Sequence, residues 1–237
     1  MDEEQIRAWL DENNTVLLSQ IEAILSVKFT LTDKDSYGCQ VHKNDNGEKS
    51  EVEIYYKEPL TQAKIAHELL HAKVDMVLCD GISLFDVPNL CKATEALLEN
   101  ADQIVNACEH YIFFPDYLDM GYREEDSFEE YELSDNSKEQ IDYLCQYGLK
   151  KGLKYDINRV FQYLGLAFTL CFYPNEERFA EEKERLRLVD KVLYSKVDKL
   201  RDDCDIDLDQ VNRDHLENAY RNFTKSINSW FLANKPK

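Results

Sequence analysis

The chain is short of basic residues: 28 lysines and arginines stand against 47 aspartates and glutamates, a formal net charge of −19 over 237 residues. That shortage argues against a surface built to grip nucleic acid, where cations must neutralise phosphates, and it disfavours docking on an anionic membrane. Long apolar runs are lacking as well. The longest, Val160 to Tyr173, is shorter than a bilayer crossing and is interrupted by Gln162 and Gly165, so no membrane span is expected. The opening Met1-Asp2-Glu3-Glu4 has neither the basic flank nor the apolar core of a secretory signal, which places the chain, as an expectation, in the cytoplasm. No CxxC pair occurs among seven cysteines, and most of them sit beside apolar residues. They read as reduced core residues rather than disulfides or metal ligands. Internal repeats, low-complexity tracts and long heptad runs are absent too.

Histidine is scarce, with five in the chain, yet two of them carry the clearest chemical signal: His67-Glu68-Leu69-Leu70-His71. Residues four apart share one face of a helix, so both rings can reach a single metal ion about 2 Å away. Glu68 projects at a neighbouring angle, badly placed to ligate but well placed to take a proton from water at the metal. This is the HExxH pattern of zinc peptidases. Its surroundings fit a helix over 61–78, since Ile65, Leu69, Ala72 and Met76 recur at helical period, with Leu70, Val74 and Val77 alongside. Thr61 after Pro59 supplies a start signal.

Around that helix the pattern is mixed. Residues 4–26 show helical periodicity through Ile6, Trp9, Leu10, Val16, Leu17 and Ile21, with an irregularity at Asn13-Asn14. Three strand-like runs follow, Val27 to Thr32, Tyr37 to His42 and Glu51 to Tyr56, and the turn signal Asn44-Asp45-Asn46-Gly47 predicts that the last two pair as a hairpin. The edge of Glu51 to Tyr56 is the expected pairing site for an extended substrate. A second long helix is expected from Pro88 to Phe114, ended by Pro115. Beyond the acidic stretch 123–136 the pattern is helical throughout: 137–149 with a Ser137/Gln140 capping box, 156–172, 175–201 and 207–231. The run Val160, Phe161, Tyr163, Leu164, Leu166, Phe168, Leu170 is the expected core of that region.

A catalytic zinc needs a third protein ligand and one open position. The second helix is the source, because Asn106, Glu109 and His110 interrupt an otherwise apolar run at spacing i, i+3, i+4. Glu109 is the preferred ligand, giving a His67/His71/Glu109 site, with Asn106 and His110 orienting the ligand or the water. Asp102, Glu99 and His110 itself remain alternatives, and Asp75 is a candidate partner for a ligating imidazole. Tyr122 or Tyr117 is positioned to donate to the oxyanion of a tetrahedral intermediate. His42 and His215 have no ligand-spaced partner and read as surface residues.

The stretches 65–72 and 106–115 together resemble the zincin metallopeptidases of the gluzincin kind, in particular the ImmA/IrrE family, where an HExxH helix is followed by a helix carrying Asn and ending in an apolar-Pro segment. Only the first stretch is specific, and together they cover a minor part of the chain. In that family the metal-binding Glu precedes the Asn, where this chain has Asp102, Gln103 and Ile104. The resemblance implies an α+β zincin-like module over 1–122, a small antiparallel sheet plus the HExxH helix; the pattern beyond it adds an acidic linker over 123–136 and a helical region over 137–237. The resemblance also implies Zn2+ as cofactor, Glu68 as general base and a protein or peptide substrate, while the charge balance carries the expectation of no nucleic acid or membrane partner. The rival expectation is a regulatory or protein-interaction protein with a structural or vestigial zinc site, its C-terminal helices taking the partner.

Overall fold

A computed structural model describes residues 2–32, 38–42, 50–56, 59–78, 87–126, 133–173, 175 and 177–236. Among these the chain forms ten α-helices, a three-stranded sheet and one short β-hairpin, an α+β architecture that is mostly helical. It divides into two compact units, Met1–Ile82 with Phe113–Tyr131 and Ser83–Ile112 with Glu132–Lys237. No helix among the described residues is long and apolar enough to cross a membrane.

In the first unit the expected single N-terminal helix is two, α1 (Glu3–Trp9) and α2 (Glu12–Glu22), because two aspartates each cap a separate start. Asp2 accepts from the Gln5 amide, and Asp11 accepts from the Asn14 amide at 2.8 Å. Strands β1 (Ser26–Leu31), β2 (Gly38–His42) and β3 (Glu51–Tyr56) follow in the spatial order β1-β3-β2. β2 and β3 pair antiparallel, as the hairpin reading requires, while the turn at 44–47 lies outside the described residues. The sheet is mixed rather than antiparallel, since β1 runs parallel to β3 from Ser26↔Glu51 to Leu31↔Tyr56. β3 is therefore the middle strand, and its two neighbours use the edge expected to receive substrate. β2 is the outer strand near the HExxH helix.

Val52, Ile54 and Tyr56 of β3 point inward with Val27 and Phe29 of β1, all buried. Period-two alternation puts Glu53 on the other face. There its carboxylate accepts from Thr30 Oγ1 at 2.5 Å, Tyr55 OH at 2.6 Å and Lys28 Nζ at 3.2 Å, which holds its pKa down from 4.5 to about 2. A carboxylate depressed in the fold adds stability above its unfolded pKa and loses it as pH falls through the folded one. Acidification from about 4.5 towards 2 is expected to weaken this unit, and Glu53→Gln to flatten that limb of the stability profile. Urea denaturation at a series of pH values reads it; an identical limb in the variant contradicts it.

Helix α3 (Gln62–Leu78) carries the motif. Thr61 Oγ1 accepts from the Lys64 amide at 3.2 Å, confirming the start. Burial covers Ala63, Ile65 through Ala72 and Val74, almost every side of the helix, and each large aliphatic contributes about 1.5–3 kcal/mol. Its first turn is tied to α2 through buried Asn14, whose Nδ2 donates to Gln62 O and Oε1, both at 3.0 Å, and to Tyr122 OH at 2.8 Å. Gln62 Oε1 also accepts from the Asp11 amide and Gln62 Nε2 donates to Trp9 O. The Asn13-Asn14 irregularity is thus a junction that fixes where α3 begins. Asn14→Leu strands those acceptors and is expected to destabilise by about 1–3 kcal/mol, read as a lowered urea midpoint.

The expected second helix is also two, α4 (Lys92–Leu98) and α5 (Ala101–Asp119). Pro115 does not end it; α5 continues one turn further. A proline inside a helix costs about 3 kcal/mol, but burial of Ile112, Phe113, Phe114 and Tyr117 around it offsets that cost. The boundary between the units falls within this one unbroken helix.

In the second unit α4 has no capping side chain of its own. Asn228 of α10 (Arg213–Asn234) caps it instead, its Oδ1 accepting from the Cys91 amide at 2.9 Å and Thr94 Oγ1 at 3.0 Å. Helix α6 (Asp135–Tyr147) starts at Ser134 rather than Ser137. A hairpin, β4 (Lys150–Lys151) with β5 (Lys154–Tyr155), interrupts the expected all-helical region. Helix α7 (Ile157–Cys171) buries Val160, Tyr163, Leu164, Leu166, Phe168 and Leu170 as expected, with Phe161 half-buried. The expected 175–201 helix splits into α8 (Ala180–Val189) and α9 (Lys191–Cys204) because Asp190 turns extended and caps the second.

Candidate metal centre

The spacing of α3 brings His67 Nε2 and His71 Nε2 to 3.0 Å from each other, with ring centroids 4.8 Å apart. Two nitrogens bound to one tetrahedral zinc at about 2.0–2.1 Å stand about 3.3 Å apart. The pair is therefore close to the separation that a shared ion requires. Both rings are buried, and burial lowers both pKa values: His71 falls to about 3, while His67 falls well below 6.5 through burial and then through His71. Near neutral pH each imidazole is uncharged and has a lone pair to offer.

The third side comes from α5. Phe113 meets both imidazoles edge-on, at centroid distances of 5.4 Å from His67 and 4.8 Å from His71, and Tyr117, one turn on, stands 6.5 Å from His67. His110 precedes Phe113 by three residues on the same helix and so shares its face. Its ligand nitrogen and those of His67 and His71 all lie within 4.8 Å of one another. Among the described residues this is the one group of three or more His, Cys, Asp or Glu side chains so gathered.

Glu109, preferred as ligand from the sequence, is outside that group. Its carboxyl is buried, which raises its pKa to about 8, and its charge is felt by Cys108 and by Tyr220 of α10. Asn106, Asp102 and Glu99 are exposed. Asp75 is half-buried, with Oδ2 3.9 Å from Cys39 Sγ of β2. Glu68 is buried on α3 directly after His67.

Tyr122 is committed to the α2 junction: its hydroxyl donates to Asp11 Oδ2 at 2.5 Å and accepts from Asn14. Burial and the Asp11 carboxylate push its pKa up, so it stays protonated as a structural donor. Tyr117 is fully buried, its hydroxyl 3.4 Å from Arg123 O. His42 and His215 are exposed, near Glu53 and the Asp203 carbonyl respectively. None of the six described cysteines is in a disulfide. Phe113 escaped the sequence reading as an aromatic wall, and Tyr117 was read as an oxyanion donor instead, although the spacing 110, 113, 117 is the signal that would have found both walls.

No protein-family model, curated protein or solved structure matches the chain.

Proposed function

We propose that the chain is a zinc-dependent metallopeptidase of the zincin type, in which His67, His71 and His110 hold the ion and Glu68 is the general base. What carries this reading is the convergence of three histidine nitrogens within 4.8 Å, two of them from a motif that also supplies a buried carboxylate. The donor set fits zinc: three imidazoles leave one tetrahedral position for water or substrate. Zinc bound there supplies Lewis acidity, polarising a scissile carbonyl and lowering the pKa of water.

The chain's own residues do the rest. Glu68 accepts a proton from the attacking water and returns it to the leaving amine nitrogen. Phe113 packs on both rings and fixes their planes, and with Tyr117 it keeps bulk water from the flank of His67. A site of three neutral donors leaves the full charge of the ion to act on water, whereas a Glu109 ligand would cancel part of it.

One observation favours the rival reading of a structural zinc in a regulatory protein: His67, His71 and Glu68 are only 7–8 % exposed. A quenched-fluorescent peptide library separates the two. Zinc-loaded protein should cleave at least one pool, lose that activity to a chelator and regain it with added zinc. Stoichiometric zinc without any cleavage favours the structural reading.

A further inference from the structure

The β4–β5 hairpin is at odds with the rest of the chain. From Tyr143 to Tyr155 there is no acid, but there are three lysines, in a protein where acids outnumber bases 47 to 28. Lys151 and Lys154 are paired directly across the hairpin, an arrangement of like charges that destabilises it. Among the described residues, Lys150, Lys151 and Lys154 have no carboxylate partner. By contrast Arg7, Arg123, Arg185, Arg187, Arg201 and Arg213 are all ion-paired. At the tip, after Gly152 with φ 69°, Leu153 is 99 % exposed and buries nothing. Folding explains neither feature.

The hairpin is nevertheless firmly held. Arg159 donates through Nη1 to the carbonyls of Tyr147 and Gly148, each at 3.3 Å, and Lys150 at 3.1 Å. Tyr155 anchors the second strand, its hydroxyl on Asp190 Oδ2 at 3.2 Å and its ring edge-to-face with Trp230. The Arg159 guanidinium also lies 5.1 Å from the ring of Tyr143, which with Tyr147 forms a half-open aromatic ledge on α6. A rigid neck thus presents cations, one aliphatic tip and two tyrosines, and tyrosine is among the residues enriched at protein-binding surfaces.

We propose that this hairpin and the Tyr143/Tyr147 ledge form a docking site for an acidic segment of another protein that also carries apolar side chains. Its carboxylates pair with Lys150, Lys151 and Lys154, and an apolar side chain covers Leu153. Charge complementarity selects this occupant. Nucleic acid requires many more phosphate contacts than three lysines supply. An anionic membrane gains only about 1 kcal/mol per lysine.

Fluorescence anisotropy with the full-length chain tests it, using a short labelled peptide of alternating glutamate and leucine as probe. Binding that declines with salt, weakens by about tenfold or more in Lys151→Glu/Lys154→Glu, and weakens in Leu153→Ser is the expected result. These side chains are exposed, so the variants fold, which circular dichroism checks. Absence of peptide binding, binding indifferent to these substitutions, or binding of single-stranded DNA or phosphatidylserine vesicles at least as strongly as of the peptide overturns the proposal.

Discussion

Glu68→Gln is expected to cut peptide hydrolysis by about 10²- to 10⁴-fold while leaving zinc content at the wild-type level. Glutamine keeps the volume of the side chain and its place on a nearly wholly buried helix, so packing around α3 is preserved. What it loses is a basic oxygen able to take a proton. Steady-state kcat measured alongside elemental analysis separates the possible roles. Lost turnover with retained zinc supports proton transfer; retained turnover removes Glu68 from the chemistry. Loss of both shows that the carboxylate serves the site's structure.

The second large effect concerns the ligands. His71→Ala, and separately His110→Ala, should weaken zinc binding by at least about a hundredfold, since even residues behind the ligands typically cost 10- to 100-fold. Glu109→Gln should leave zinc affinity within about tenfold of wild type, because Glu109 is outside the group of three histidines and burial raises its carboxyl pKa to about 8. Competition titration with a chromophoric chelator gives the affinities. The same hierarchy should appear in thermal denaturation. A ligand at 100 times its dissociation constant stabilises the fold by about 2.7 kcal/mol, and that zinc-dependent shift should vanish in His71→Ala. A collapse of affinity in Glu109→Gln with His110→Ala unaffected would instead support the ligand set read from the sequence.

The choice between Glu109 and His110 is where the sequence stops being informative. The positions of His67, Glu68 and His71 were legible because i, i+4 spacing is a property of one helix and needs no knowledge of its neighbours. Which residue of α5 meets them depends on the rotation of one helix against another, and one residue of rotation exchanges a carboxylate for an imidazole. Pro115 hid the answer further. Taken as a stop, it concealed that Tyr117 continues the face of His110 and Phe113.

The sheet shows the same limit. Strand-like runs identified all three strands, and the turn residues identified the β2–β3 pairing, both local signals. The parallel placement of β1 against the free side of β3 is non-local and left no mark on either strand. Helix breaks at Asp11 and Asp190 were missed because each aspartate caps the following helix without a glycine or proline to announce the break. The β4–β5 hairpin was missed because its strands are two residues each, too short for any period to register.

A crystal structure of the zinc-loaded chain bears on all of this most directly. The expected result is one ion bound by Nε2 of His67, Nε2 of His71 and a ring nitrogen of His110, with its fourth position facing solvent. An ion whose shell is completed by Glu109 or a cysteine, or two imidazoles that do not share an ion at all, would contradict it.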